Sequence, residues 1–159
     1  MIIKEGRKLV DTLTVPKLYD WQEVHAVRLM EAVMKRGAAL DGSDTGTGKT
    51  VVALEVARAL DLIPFVVCPK SVIPAWEEWM GKFRPGKVKN AYNYEKLRMG
   101  RTTFLGKSGR RLEWTLNPEK VLLIFDEVHR CKGSKSLNSK MLAGAKLLKI
   151  PILMLSATA

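Results

Sequence analysis

The sequence predicts an α/β domain with a mostly parallel central sheet and helices on both faces. Three observations carry this. "IPFVVCP" (63–69) and "VLLIF" (121–125) are continuous apolar runs of strand length, the pattern of strands buried on both sides. Segments of helical periodicity alternate with such runs along the chain. A glycine-rich loop, "SDTGTGKT" (43–50), lies between one expected strand and one expected helix.

In chain order, "YDWQEVHAVRLMEAVMKRG" (19–37) places apolar residues at Val24, Val27, Leu29, Met30 and Val33, close to helical spacing. Asp20 is the expected cap, and Lys35, Arg36 and Gly37 end the helix. "AALDG" (38–42) reads as a short buried strand, and "KTVVALEVARALDL" (49–62) as a helix with Glu55, Arg58 and Asp61 outward. After the strand at 63–69, "SVIPAWEEWMGKF" (71–83) is helical, with Ser71 as cap and Pro74 tolerated in the first turn. "KVKNAY" (87–92) is a further strand. "RTTFLGKSGRRLEWTLNP" (101–118) resembles a hairpin, an insertion turning at "GKSG". After the strand at 121–125, "SLNSKMLAGAKLLK" (136–149) is helical and "ILMLSAT" (152–158) is the last strand. With 159 residues and no linker, repeat or low-complexity tract, the expectation is a single domain over 1–159.

The composition, 47% hydrophobic and 27% charged, is that of an ordinary globular protein. No apolar run has the length of a membrane span, and the charged start "MIIKEGRKLVD" has no signal-peptide core. No membrane and no secretion are expected. Cys68 and Cys131 are far apart and, with only His25 and His129, make no metal pattern. They are expected to be reduced, buried thiols of an intracellular protein.

Net charge is +11, and its placement is lopsided. Residues 1–80 hold 10 Lys and Arg against 11 Asp and Glu, whereas residues 81–159 hold 17 against 5. Clustered cations gain by displacing counterions from phosphates, so a nucleic acid is the expected partner. A solvated basic face is the alternative. The segment "RMGRTTFLGKSGRR" (98–111) concentrates Arg98, Arg101, Lys107, Arg110 and Arg111 around Phe104. It suits a phosphate backbone about as well as it suits a variable surface loop.

A loop that holds phosphate needs bare backbone N–H groups and residues that permit close approach. Gly46 and Gly48 supply these, Lys49 is expected to reach the β- and γ-phosphates of a nucleotide, and the Thr50 hydroxyl is the expected ligand for Mg2+. Ser43, Asp44, Thr45 and Thr47 complete the cradle, and the following helix turns its positive end to the anion. The general pattern G-x-x-x-x-G-K-[ST] has glycine where this chain has Ser43, with Gly42 one place earlier. Asp126 and Glu127 follow the buried run at 121–125, where open α/β sheets bind ligands. Adjacent carboxylates there are costly unless a cation or a reaction uses them. Asp126 is the expected metal-holding residue, and Glu127 is expected to orient and deprotonate the attacking water.

These motifs resemble the first motor domain of superfamily-two helicases and translocases, a RecA-like fold, from about residue 18 onward. "SDTGTGKT" is similar to its motif I, A-x-T-G-x-G-K-T, with Ser43 in place of Ala; "DEVH" (126–129) is similar to its DExH box and "SAT" (156–158) to its motif III. "LYDWQ" (18–22) resembles the Q motif, which implies that Gln22 reads adenine. "VVCPKSVIPAW", "NYEKL" and "DEVHRCKGSKS" resemble the Swi/Snf-type DNA translocases, whereas that branch has "TGTP" where this chain has "SATA". The resemblance implies nucleic-acid contacts at Lys70 and Ser71, extended to Arg130 and Lys132. It also implies coupling between the ATP site and the nucleic acid through His129, Ser156 and Thr158. Double-stranded DNA is the expected track.

In such motors ATP lies between two RecA-like domains, the second supplying arginine fingers. The sequence stops one residue past motif III, so a fragment lacking that domain is expected, binding ATP weakly and hydrolysing it slowly. Three alternatives stand beside the duplex-DNA translocase. They are a DExH helicase acting on single-stranded DNA or RNA, a small-molecule phosphotransferase, and a non-catalytic nucleic-acid-binding module.

Overall fold

The computed structural model describes residues 15–43, 48–109, 111–133 and 136–156. Its elements run α1 (Asp20–Arg36), β1 (Ala38–Asp41), α2 (Lys49–Ala59), β2 (Ile63–Cys68), α3 (Ile73–Phe83), β3 (Ala91–Asn93), α4 (Tyr94–Arg98), β4 (Leu105–Ser108), β5 (Arg111–Trp114), β6 (Val121–Phe125), α5 (Leu137–Leu147) and β7 (Ile152–Leu155). Short 3-10 turns at Lys70–Val72 and Val128–Cys131 follow β2 and β6. The central sheet has the order β1-β7-β6-β2-β3, every neighbouring pair parallel. A separate antiparallel hairpin, β4 with β5, packs beside it.

Successive side chains of a strand point to opposite faces, and here each face meets its own core. Leu122 and Ile124 of β6, Val66 and Cys68 of β2, and Leu153 and Leu155 of β7 face α1, α2 and α3. Leu123 and Phe125, Phe65 and Val67, and Ile152 face α4, α5 and the hairpin. All five residues of β6 are buried, as a central parallel strand requires. The three-layer α/β arrangement with a hairpin insertion is therefore as the sequence predicts.

Trp114 packs edge-on against Phe65 and its Nε1 donates to the Met141 carbonyl at 2.8 Å. Gly144 of α5 faces the Leu112 carbonyl so closely that a Cβ there would collide with it. The hairpin is thus fastened to α5 and the sheet.

Several local expectations are corrected. Asp20 is the first helical residue of α1, not its cap; Tyr19 takes the cap position, its N–H donating to Gln22 Oε1 at 2.9 Å. Val24 and Val27 are exposed, and the buried stripe is Gln22, Ala26, Leu29 and Val33. Ser71 lies in a 3-10 turn and α3 starts after Val72, with Pro74 in its first turn. The hairpin turns after Ser108, which pairs with Arg111, and not at "GKSG"; Gly109 takes the positive φ of +63° that this turn needs. β3 covers only Ala91–Asn93, and β7 ends at Leu155.

Both cysteines are free and buried. Burial, with Asp126, Glu127 and Glu77 nearby, pushes the Cys68 thiol up to about 12. Burial pushes Cys131 up to about 11 against a hydrogen bond with Tyr94 that works the other way. Since the thiolate is the nucleophile, iodoacetamide at pH 8 should leave both unmodified in the folded protein and alkylate both in urea. Mass spectrometry reads the outcome, and rapid alkylation in plain buffer would contradict the burial of both thiols. Among the described residues no helix is long and apolar enough to cross a membrane.

Candidate nucleotide site

Strand order assembles the site. β7 lies between β1 and β6, so the segments leaving these three strands line one carboxyl edge of the sheet, the ligand-binding edge of open parallel sheets. They bring Ser43, Ser156 and Asp126 forward. Ser156 is buried, and its N–H donates to the Asp41 carbonyl at 3.0 Å, extending the β1–β7 ladder past its last pair. Lys49, the first residue of α2, donates from Nζ to the Ser156 carbonyl at 2.7 Å. Its ammonium therefore spans from the loop's end to the middle strand. Thr50 is half-buried in the same first turn. Of the predicted cradle, Asp44, Thr45, Gly46 and Thr47 lie outside the described residues, as does Thr158.

Gly48 takes φ of +77°, a conformation that favours glycine. A Cβ there would also strike the amide of Gln22, which is buried on α1. Gln22 thus lies against the loop's last glycine while its Oε1 caps α1.

Asp126 is fixed from three directions. Its Oδ2 accepts from Trp76 Nε1 at 3.0 Å and its Oδ1 from the Glu127 N–H at 2.9 Å. Its carbonyl accepts from the Tyr94 hydroxyl at 2.7 Å. Burial raises the Asp126 carboxyl above its ordinary value; the Trp76 and Glu127 hydrogen bonds and the Lys49 charge work the other way. A carboxylate so desolvated gains from a nearby cation, and with the Thr50 hydroxyl it could hold Mg2+. Glu127 follows at φ of +51°, the left-handed region, a strained placement of the kind stored at functional sites. Its Oε2 accepts from Arg130 Nε at 3.0 Å. His129 is half-buried, and its Nδ1 has no hydrogen-bond partner among the described residues.

The predicted nucleic-acid residues fall on the same side. Lys70, Ser71, Arg130 and Lys132 lie on the turns after β2 and β6, and all four are exposed. Lys70 and Arg130 border a polar groove with Asn93, Arg98 and Asn138. Asn138 donates to the Arg130 carbonyl at 3.0 Å and accepts from Arg98 at 3.5 Å. A second groove, bounded by Lys107, Arg111 and Lys140, opens between the hairpin and α5. Phe104, by contrast, is half-buried and packs on Phe65 and Tyr92 with ring centroids 5.0 and 5.2 Å away, against the edge of the core.

The model of the type III restriction enzyme res subunit family matches residues 16–159. The chain belongs to that family. It is a RecA-like domain of the superfamily-two helicase and translocase type. Among relatives of this res-subunit domain, the putative ATP-dependent RNA helicase L364 of Acanthamoeba polyphaga mimivirus is 34% identical, covering 91% of this chain and 31% of that protein. The DNA 3'-5' translocase XPB2 of Sulfurisphaera tokodaii is 29% identical, covering 80% and 30%. The domain thus spans about a third of either relative. The Sulfolobus solfataricus SWI2/SNF2 ATPase core, solved in complex with dsDNA, shares its fold at a TM-score of 0.64 and 22% identity, covering 91% of this chain and 32% of that one.

Sequence reasoning misses four contributors. Trp76 and Tyr94 lie inside recognisable motifs but look like ordinary helix and strand residues. Asp41, a charge closing an apolar run, carries a visible signal of its own. His25 carries none, since its neighbour is on another element.

Proposed function

We propose that this domain is the ATP-binding half of a nucleic-acid-dependent ATPase that moves on duplex DNA. The observation that carries the proposal is the convergence of Lys49, Ser156, Asp126 and Glu127 on one sheet edge. In this reading the Lys49 ammonium leaves the Ser156 carbonyl for the terminal phosphates of ATP, and Thr50 and Asp126 hold Mg2+. The bound Mg2+ supplies neutralisation of phosphate charge. Trp76 keeps Asp126 in its rotamer. Glu127 accepts the proton of the water whose oxygen attacks the terminal phosphorus, while ADP departs. Gln22 supports the loop at Gly48, and reading the adenine is the role that its motif implies. His129, Ser156 and Thr158 link this edge to the nucleic acid, and full activity requires a second RecA-like domain.

The track follows the cations. Lys70, Arg98 and Arg130 line one groove, and Lys107, Arg111 and Lys140 line the next. Asn138 and Leu137, neighbours at the start of α5, border one groove each, so the two lie next to each other as a strip whose cations outnumber its one carboxylate, Glu95. The fold neighbour's complex with duplex DNA and the DNA translocase relative favour DNA; the RNA helicase relative favours RNA. Binding to matched duplex DNA, single-stranded DNA and RNA separates them, with duplex preference expected. The affinity should fall steeply with salt. Changing Lys107, Arg111 and Lys140 together to Ala should lower the slope of log K against log salt by about one for each phosphate no longer neutralised. Changing Lys35 and Arg36, at the far end of α1, should leave the slope in place. Equal slopes for all three proteins would remove the strip from the track.

A further inference from the structure

β1 ends in a buried charge. The Asp41 side chain is 1% exposed, and a carboxylate so placed is costly unless its partners repay it. The partners crowd one oxygen. Oδ1 accepts from the Ser43 hydroxyl at 2.6 Å and the Ser43 N–H at 3.0 Å, and His25 Nε2 lies 3.0 Å from it. Burial opposes ionisation, and the Ser43 and His25 contacts outweigh it, so the carboxyl stays below its ordinary value. Ser43 is the first residue of the phosphate-loop motif, where the resembling motif has Ala. Its hydroxyl is spent on Asp41.

His25 stands three residues after Gln22 on α1, one turn along the same face. Gln22 abuts Gly48, where the loop ends. His25 abuts Asp41, which holds Ser43, where the loop begins. One turn of α1 therefore bears on both shoulders of the loop, directly at Gly48 and through Asp41 at Ser43.

We propose that His25 and Asp41 form a positioning pair that sets the start of the phosphate loop through Ser43, so that nucleotide affinity depends on a contact with α1. This rests on reading the loop as an ATP site. The pair acts by holding Ser43, as Gln22 bears on the other shoulder.

The test is equilibrium binding of a fluorescent ATP analogue with Mg2+ to this chain, with thermal unfolding of each nucleotide-free variant alongside. Asp41→Asn and His25→Leu should each weaken binding about tenfold. The double variant should be no weaker than the worse single, since the two act as a unit. His25→Gln, whose amide can donate from a similar position, should restore most of the affinity. Ser43→Ala, which removes one hydroxyl and leaves the backbone free to fold as before, should weaken binding about threefold. A purely structural pair would instead lower the melting temperature and leave the affinity of the folded protein unchanged. Affinities within a factor of about two of the parent in Asp41→Asn, His25→Leu and Ser43→Ala would overturn the inference alone. Absence of saturable binding by the parent would overturn the ATP-site reading and this inference with it.

Discussion

Changing Glu127 to Gln is expected to slow ATP hydrolysis by about 10²–10⁴-fold while nucleotide binding persists. The substitution keeps size and hydrogen-bonding reach but removes the oxygen basicity that takes the proton from water. The left-handed backbone at Glu127 and its contact with Arg130 constrain this side chain beside Asp126, so little rearrangement should accompany the change. Single-turnover hydrolysis by both proteins, with binding of the fluorescent analogue measured in parallel, decides it. Equal rates would make the domain a nucleic-acid-binding module whose acidic pair does no chemistry. Loss of binding together with hydrolysis would show that Glu127 shapes the site.

The second large effect is on stability. Trp114→Ala should destabilise the domain by about 3–5 kcal/mol, a large part of the roughly 5–15 kcal/mol typical of a folded protein. Trp114 is 3% exposed, packs edge-on against Phe65 and donates to the Met141 carbonyl. Removing it opens a cavity between hairpin, sheet and α5 and leaves that carbonyl without this donor. Urea unfolding reads the loss. A cost below about 1 kcal/mol, near the range of surface positions, would mean that the hairpin is a detachable loop.

What the sequence reveals follows from where the physics is local. β2 and β6 are legible because burial on both faces leaves an unbroken apolar run. The loop and the acidic pair are legible because phosphate and metal chemistry demand particular residues at fixed spacing. Gln22 is legible for its motif but not for its burial, because the amide is satisfied by Tyr19 and packed on Gly48. Val24 and Val27 fit the helical period yet face outward, since that buried stripe carries Gln22 and Ala26 instead. The hairpin turn is ambiguous because "GKSG" offers glycine at both ends. Pairing decides between them, setting Leu105 opposite Trp114 with both buried. Asp41 with His25, and Asp126 with Trp76, join residues distant in the chain. No spacing rule anticipates such pairs.

Three strand ends and the start of α2 form one ATP site on this account, and Lys49 is its most direct probe. Titration of the fluorescent ATP analogue, with Mg2+, into the parent chain and Lys49→Ala is the measurement. Saturable binding by the parent, displaced by unlabelled ATP, is expected, with a loss of at least about tenfold in affinity on removing the ammonium. Equal affinity in the two proteins would contradict the central claim, because a nucleotide bound without Lys49 would not lie on this edge of the sheet.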